Sequence, residues 1–236
     1  MLRGVATTRL AHSLLALAAL SLPSCATLPS ELAEDGPFVV AVKCARLPEH
    51  MPWYSTFAEH SWFDVRNDVG WTRIEVISRS SGVRVRRIPA SEARSDERWG
   101  GRQVHVLAVY TGEDAKQLVP AMLAKAKTYP HALGYQPWPG PNSNTFVEWL
   151  SREVSGLAVA QYPTSLGKDY PRNGWVDAGI TATRTGLELE TAYVGLQAGL
   201  IEGVELHLVG LTIGVGLWPP QLKVPFLPGL PWGLAH

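Results

Sequence analysis

In the middle of the 236-residue chain stands the stretch Trp138-Pro139-Gly140-Pro141-Asn142-Ser143-Asn144-Thr145-Phe146. Its prolines and glycine indicate a tight turn, and its small polar residues are of the types that cap the N-terminus of a helix. Thr145 and Glu148 have the spacing of a capping box, in which each side chain binds the other residue's backbone N–H. Apolar residues then recur at helical spacing, at Phe146, Trp149, Leu150 and Val154. The pattern predicts a turn that leads directly into an amphipathic helix.

Alternating apolar and polar residues, typical of half-buried strands, flank this helix on both sides. Strands are predicted before it at 38–44, 59–65, 71–77 and 103–110, and hairpins punctuated by glycine are predicted after residue 187. A second helix is predicted over 113–127, kinked or divided at Pro120 because proline interrupts the helical hydrogen bonds. We therefore expect an α+β fold in a single globular domain over 37–236, with a mostly antiparallel sheet, two central helices and C-terminal β-hairpins.

Residues 1–24 have the features of a lipoprotein signal peptide. An N-terminal region with two arginines is followed by an apolar run over 10–22, which is shorter than a typical membrane-spanning helix. Leu22-Pro23-Ser24-Cys25 resembles a bacterial lipobox, in which the cysteine takes a diacylglycerol and acyl chains such as palmitate hold the protein on the membrane. No aspartate follows Cys25 to retain the protein at an inner membrane, so we expect a cell-envelope protein on the outer membrane that faces the periplasm, with 25–36 as a tether. The alternative is an ordinary signal peptide that is cut nearby, with Cys25 incidental.

The composition excludes several classes of protein. The chain has 21 basic and 21 acidic residues, and without a basic excess it is a poor general binder of nucleic acid. Its 46% of hydrophobic and 18% of charged residues are typical of a globular domain and exclude wholesale disorder. Two cysteines are too few for a disulfide scaffold or a thiolate zinc cluster, and the histidines show no metal-ligand spacing, so we expect no metal and no cofactor. Cys44, in a strand-like run, is expected to be a buried inert thiol rather than a nucleophile.

The polar helix start also allows a catalytic hypothesis. Ser143 would lie beside free backbone N–H groups near Asn144, which can stabilise an oxyanion. A serine needs a base, and His60 is the best candidate because it lies on a predicted strand with Trp62 on the same face. Glu75, on the following predicted strand, is placed to orient His60. In the structural alternative these residues only cap the helix, and His60 is an ordinary strand residue.

Further polar residues are candidates for binding. Lys168 and Asp169, in a predicted loop, either line a pocket or close a turn. Together with Asn142, Asn144 and Trp62, they are the residues we expect to border a binding cleft around the helix start.

The segment between Arg73 and Arg102 contains eight arginines against four acidic residues. In a lipid-anchored protein, such a patch would meet anionic lipid headgroups. The alternative is a solvated edge hairpin whose charges prevent aggregation.

Four motifs carry a resemblance to a known family. They are Glu59-His60-Ser61-Trp62, Gly70-Trp71 followed by Arg73 and Glu75, the stretch from Trp138 to Phe146, and Thr164-Ser165-Leu166-Gly167-Lys168-Asp169-Tyr170. Over most of 38–225 the chain is similar to a bacterial exported and lipoprotein family that carries domain of unknown function 3750. This resemblance implies no known activity.

Asn142-Ser143-Asn144-Thr145-Phe146 is also similar to the Asn-Cys-x-x-Phe frame of circularly permuted papain-like folds, such as the lecithin retinol acyltransferase group. The resemblance implies a permuted papain-like variant of the α+β fold, with Ser143 in the nucleophile position, His60 as base and Glu75 as its orienting partner. The serine departs from the pattern, because it gives up the easily ionised thiolate of cysteine.

Two hypotheses about function follow. The first is a lipid-anchored envelope protein that hydrolyses or transfers an acyl group at an amide or ester, with Ser143 as nucleophile. The second is a non-catalytic envelope module that binds a lipid, a glycan or a protein partner. The relative positions of Ser143, His60 and Glu75 distinguish them.

Overall fold

The computed structural model describes residues 36–78, 82–93, 98–172, 174–217 and 220–227. The predicted signal peptide, Cys25 and all of the predicted tether except Gly36 lie outside these residues. Two six-stranded antiparallel sheets and two α-helices make up the described chain, which confirms the α+β class. None of the helices in these ranges is long and apolar enough to cross a membrane.

The first sheet and the helices come from the N-terminal part of the described chain. Its strands are β1 (Val39–Arg46), β2 (Glu59–Asn67), β3 (Gly70–Val76), β4 (Val83–Arg87), β5 (Arg98–Trp99) and β6 (Arg102–Thr111), in the spatial order β4-β3-β2-β1-β6-β5. Two 3₁₀ helices, Trp53–Thr56 and Ala90–Ala93, lie between strands, and α1 (Gly112–Ala126) and α2 (Ser143–Glu153) follow β6.

The second sheet follows the helices and keeps the order of the sequence. Its strands are β7 (Val176–Ile180), β8 (Gly186–Thr191), β9 (Val194–Gly199), β10 (Gly203–Leu208), β11 (Leu211–Leu217) and β12 (Pro220–Lys223). Each strand pairs with the next in antiparallel register, as expected for hairpins.

Side chains of the first sheet alternate between two faces, and β2 shows this division clearly. Phe63 and Val65 lie in the main core with α1 and α2, and the Phe63 ring is 6.1 Å from the ring of Phe146. Trp62 and Asp64, at the intervening positions, point the other way. We term the covered side the helix face and the opposite side the far face.

Helix α1 runs as one element through Pro120, where the sequence predicted a kink or a break. Its buried side chains are Ala115, Leu118, Val119, Met122 and Ala126. Pro120 lies on the exposed side of the helix, where the carbonyl that loses its N–H partner can bind water instead.

Helix α2 is capped three residues earlier than the predicted capping box. The Oδ1 atom of Asn142 accepts the N–H of Asn144 at 2.9 Å and that of Thr145 at 3.3 Å. In return, Thr145 Oγ1 accepts the N–H of Asn142 at 3.0 Å. The predicted box between Thr145 and Glu148 was therefore wrong in register, because Asn142 supplies a good N-cap side chain one turn earlier.

The second sheet buries its polar side and exposes its apolar side. In β8, Glu188 and Glu190 are buried, whereas Leu187 and Leu189 are 68% and 54% exposed. The sequence indicated the alternation of this strand, and the structure shows that the carboxylates face the rest of the molecule.

Candidate functional site

Asp64 lies on the far face of the first sheet and has no exposed surface. Its carboxylate accepts hydrogen bonds from Trp62 Nε1 at 3.1 Å, from Lys43 Nζ at 3.0 Å, and from Arg73 Nε and Nη2 at 2.7 and 3.0 Å. Burial lowers the pKa of Lys43, and the neighbouring Asp64 carboxylate opposes that decrease. One carboxylate therefore holds two buried cations, and this cluster has an excess of positive charge.

A pocket of about 190 Å³ lies against this cluster, and we term it the cationic pocket. Its walls include four basic side chains and two indole rings, those of Lys43, Arg73, Arg86, Arg98, Trp62 and Trp99. Glu92 also lines the pocket and binds Arg86 across 2.8 Å. The predicted binding residue Trp62 thus lines a pocket, but on the side of the sheet that is turned away from the helix start.

His60 and Glu75, two of the predicted catalytic residues, are paired on the far face. His60 Nε2 lies 3.3 Å from Glu75 Oε2, and both side chains are buried. The His60 ring stacks on Trp99 at 4.6 Å and on Trp62 at 5.5 Å, both of which line the cationic pocket. Burial tends to raise the pKa of Glu75, and its contacts with His60 and nearby arginines lower it by more.

Ser143 lies on the opposite side of the sheet from this pair. It is the first residue of α2, which packs on the helix face, and it is 3% exposed. Among the described residues, no hydrogen bond joins Ser143 to His60 or Glu75. The structure therefore does not assemble the three predicted catalytic residues, because strand alternation directs His60 to the far face while Phe63 and its neighbours face the helices.

The backbone N–H groups predicted to bind an oxyanion already have partners. Those of Asn144 and Thr145 donate to the side chain of Asn142, and that of Phe146 donates to the Asn142 carbonyl at 3.1 Å. The capping arrangement therefore uses the donors that acyl transfer at Ser143 would require.

The helix start instead holds the loop over 164–170. Asn142 Nδ2 and Asn144 Nδ2 each donate to the Leu166 carbonyl at 2.9 Å, and Thr145 Oγ1 donates to the Gly167 carbonyl at 2.6 Å. Two motifs that the sequence singled out are thus bound to each other. Asn142 and Asn144, which we expected to border a cleft, act here as structural braces.

Glu59 is a buried acid on the helix face that the sequence analysis did not select. Its Oε2 accepts a hydrogen bond from Ser165 Oγ at 3.3 Å, and its backbone carbonyl accepts one from Asn144 Nδ2 at 2.9 Å. Burial raises the pKa of Glu59 to about 7, although the hydrogen bond from Ser165 opposes the increase. Cys44 is fully buried beside it, as expected, and burial raises the pKa of the thiol well above its ordinary value.

Lys168, a predicted binding residue, joins a buried ionic network between the 164–170 loop and the second sheet. Its Nζ lies 2.6 Å from Glu205 Oε2. The ring of His207 bridges two carboxylates, with Nε2 at 2.9 Å from Glu205 and Nδ1 at 2.8 Å from Glu190. Burial and Lys168 lower the pKa of His207, and Asp169, Glu190 and Glu205 raise it by more, to about 9. The sequence did not reveal this network because its members lie on separate strands and a loop.

Asp169, Glu190 and His207 are residues of this network that could hold a metal ion. They offer three ligand atoms that all lie within 4.8 Å of one another. Asp169 Oδ1 and Glu190 Oε2 are buried without a hydrogen-bond partner. The raised pKa of His207 keeps both of its ring nitrogens protonated at neutral pH and bonded to Glu190 and Glu205, so a metal ion would have to displace a proton from the histidine to bind here. The ligands come from three separate elements, so no short sequence motif marks them.

Comparison with family models matches residues 38–170 to DUF3750, a protein of unknown function. The match covers more than half of the chain, including the first sheet, both helices and the 164–170 loop, and it ends before β7. The predicted resemblance over the C-terminal strands lies beyond the matched residues. Neither a curated protein nor a solved structure matches this chain. On the match over 38–170, the chain belongs to the DUF3750 family of proteins of unknown function.

Proposed function

We propose that this protein is a non-catalytic, lipid-anchored module of the cell envelope that binds an anionic group in the cationic pocket. In this proposal Cys25 carries the acyl chains, and the protein faces the periplasm from the outer membrane. The ligand class is a phosphate or carboxylate, as found on lipid headgroups and on charged glycans. The observation that supports it is the concentration of basic and indole side chains around one pocket.

The charge balance of the pocket favours an anion. Lys43, Arg73, Arg86 and Arg98 line it, against Glu92 as the acid in the wall. Asp64 neutralises one of the two buried cations, and Glu75 lies 3.8 Å from Arg86. Four basic groups thus face three carboxylates, those of Asp64, Glu75 and Glu92, and the neighbourhood keeps an excess of positive charge. Arginine forks bind phosphate and carboxylate oxygens through two parallel hydrogen bonds, which makes them suited to such a ligand.

The arrangement of the pocket separates a fixed floor from adaptable walls. Lys43 and Arg73 are nearly inaccessible and are held by Asp64. The side chain of Arg86 is 30% exposed, and Arg98 lies on the surface of the protein. We therefore assign contact with the ligand to Arg86 and Arg98. The buried cations of the floor, Lys43 and Arg73, supply an electrostatic field that favours a negative charge in the pocket.

The acyl-transfer hypothesis has less support. It requires a serine, a base and an oxyanion site in one cleft. Here Ser143 and His60 lie on opposite faces of the sheet, and the N–H groups near Asn144 are used by the cap. A binding role for the far face needs none of these groups.

The test uses residues 25–236 with Cys25→Ser, so that neither acyl chains nor the apolar run over 10–22 hold the protein on the lipid. We would measure co-sedimentation with phosphatidylcholine vesicles that contain or lack phosphatidylglycerol. Arg86→Gln combined with Arg98→Gln should weaken the additional binding due to phosphatidylglycerol by at least about tenfold, because the loss of even one charged hydrogen bond has an effect of that size. Lys116→Gln is the matched control, because Lys116 is an exposed cation on α1.

The source of the anion is decided by competition. If inorganic phosphate displaces the protein from anionic vesicles, the pocket accepts a free anion; if it does not, the pocket requires the headgroup. The proposal would be refuted if phosphatidylglycerol increased the fraction of bound protein equally for the double variant and for its parent.

A further inference from the structure

The second sheet has its polar and apolar sides reversed relative to an ordinary surface sheet. The inward positions of β7 to β12 carry charged, polar or glycine residues, including Glu188, Glu190, Gln197, Glu205, His207 and Lys223. The outward positions of the same strands carry large apolar residues, including Leu187, Leu189, Leu196, Leu206, Ile213 and Val215. Antiparallel sheets normally direct their apolar side to the core, so this reversal needs a physical cause.

The inward side is fixed by ion pairs with the rest of the molecule. Arg152 on α2 pairs with Glu188 of β8, and Lys168 of the 164–170 loop pairs with Glu205 of β10. Lys223 of β12 reaches the same Glu205. A sheet turned over would bury leucines against these basic groups and expose the carboxylates, so its orientation is determined by charge.

The outward side forms one continuous apolar surface, which we term the outer face. Leu189, Leu196, Leu206 and Ile213 are directly paired across four neighbouring strands. Their exposed fractions are 54%, 53%, 40% and 42%. Single exposed leucines are normal on a soluble protein, but a contiguous patch across a whole sheet marks an interaction surface.

We propose that the outer face lies against the hydrocarbon of a lipid bilayer. Within the described strands, its outward positions carry no charged side chain, and Thr191 of β8 is the polar residue among them. A surface of this composition gains free energy when it leaves water for an acyl environment. This contact needs no anionic lipid, so it goes beyond binding in the cationic pocket.

Aromatic residues at one end of the sheet support lipid as the partner. Trp175, just before β7, and Tyr193, just before β9, are 81% and 61% exposed. Strand register places them at the same end, where Val176 pairs with Thr191 and Val194 pairs with Leu208. Tryptophan and tyrosine are enriched at the boundary between headgroups and acyl chains, where their polar edge contacts water.

Further aromatic residues extend this border. Trp138 Nε1 donates to the carbonyl of Val209, in the turn between β10 and β11. The Trp138 ring is 5.4 Å from that of Trp53, which is 63% exposed. Indole and phenol rings thus border this end of the outer face, which is the position that tryptophan and tyrosine take at a membrane boundary.

The test again uses residues 25–236 with Cys25→Ser, now with vesicles of pure phosphatidylcholine, so that the apolar run over 10–22 does not contribute to binding. Phosphatidylcholine has no net charge, so binding to it is measured separately from the additional binding due to phosphatidylglycerol that tests the cationic pocket. Failure here is therefore distinguishable from failure of the proposed function. We expect the chain to sediment with these vesicles. Leu206→Lys combined with Ile213→Lys should reduce the bound protein about tenfold, because a lysine at the lipid boundary costs free energy. Leu133→Lys is the control, since Leu133 is 86% exposed outside the second sheet.

A second measurement does not depend on the lysine variants. Brominated phosphatidylcholine quenches indole fluorescence on contact, and the quenched fraction should fall when Trp175 is replaced by phenylalanine. Absence of both sedimentation and quenching would overturn the proposal. Light scattering provides another outcome that would overturn it. If the Cys25→Ser chain is a dimer and the two lysine substitutions convert it to a monomer, the outer face binds a second copy of the chain instead of lipid.

Discussion

His60 Nε2 lies 3.3 Å from Glu75 Oε2 on the face of the first sheet that is turned away from Ser143. A histidine paired with a carboxylate beside a hydroxyl resembles a catalytic arrangement when only the sequence is considered. In the folded chain, the sheet itself separates the hydroxyl from the base. The pair borders the cationic pocket, because the His60 ring stacks on Trp62 and Trp99.

Ser143→Ala should leave binding to anionic vesicles unchanged. Ser143 lines no part of the cationic pocket, and alanine is well tolerated at the first position of a helix. We expect a change in the free energy of unfolding below about 1 kcal/mol. Co-sedimentation and urea unfolding of the variant provide the check. A complete loss of a cellular phenotype, with the fold and vesicle binding intact, would restore the nucleophile hypothesis.

Asn142→Ala should destabilise the protein by about 2–4 kcal/mol, from loss of the cap and of a buried hydrogen-bond partner. Its side chain accepts two N–H groups of α2 and donates to the Leu166 carbonyl, so one substitution loosens both the helix and the loop. Urea unfolding monitored by circular dichroism measures this loss. Thr128→Ala is the matched control, because Thr128 makes one exposed hydrogen bond to Lys125. Equal costs for the two variants would contradict the bracing role.

The sequence predicted the elements better than their orientation. Periodicity placed α2 and the strands around His60 correctly, because the spacing of apolar residues follows helix and strand geometry. It could not decide which side of β2 faces the helices, since His60, Trp62 and Asp64 alternate with residues that are just as well buried. That side is determined by the core around Phe63, which only the tertiary structure shows.

In the second sheet, the hydrophobic pattern of the sequence likewise could not show which side of each strand is buried. The alternation of Leu187 and Leu189 with Glu188 and Glu190 predicted a strand correctly. Which set is buried depends on distant cations such as Lys168 on the 164–170 loop. The arginine-rich segment between Arg73 and Arg102 supplies Arg73, Arg86 and Arg98 of the cationic pocket, but the sequence could not indicate that Lys43 of β1 joins them, because it lies far away along the chain. Long-range pairing of charges, which leaves no periodic pattern, accounts for these gaps.

Cys25→Ser should abolish incorporation of labelled palmitate into the protein. The prediction follows from the lipobox-like Leu22-Pro23-Ser24-Cys25, in which that thiol is the acceptor of lipid. Cys44 cannot substitute, because it is fully buried in β1. Cells that express Cys44→Ser should therefore retain the label. Label that persists in the Cys25→Ser protein would refute lipidation at this site.

Asp64→Ala should destabilise the protein by about 3–5 kcal/mol, because it leaves buried cations without their counter-charge. Lys43 and Arg73 both depend on this carboxylate. Asp68→Ala is the control, since Asp68 lies in the exposed turn after β2 and should change stability by less than about 0.5 kcal/mol. Urea unfolding of both variants tests the prediction. A cost below about 1 kcal/mol for Asp64→Ala would show that the floor of the cationic pocket does not depend on Asp64.

Glu59→Gln should make the stability of the protein less dependent on pH between 5 and 8. Burial raises the pKa of Glu59 from 4.5 to about 7, so the folded state holds this proton more tightly than the unfolded state does. The resulting stabilisation is fully present below the unfolded pKa and is lost as the pH rises through about 7. Its upper limit is about 3 kcal/mol, from the size of the pKa difference.

The glutamine variant keeps an acceptor for Ser165 and removes the buried charge. Relative to the unmodified protein, it should gain free energy of unfolding at pH 8 and little at pH 5. Urea unfolding at both pH values measures this difference. Glu113→Gln, at a carboxylate that is 76% exposed, should keep the original pH dependence. The informative quantity is the difference in free energy of unfolding between Glu59→Gln and the parent protein at each pH. If that difference is the same at pH 5 and pH 8, Glu59 does not titrate between them.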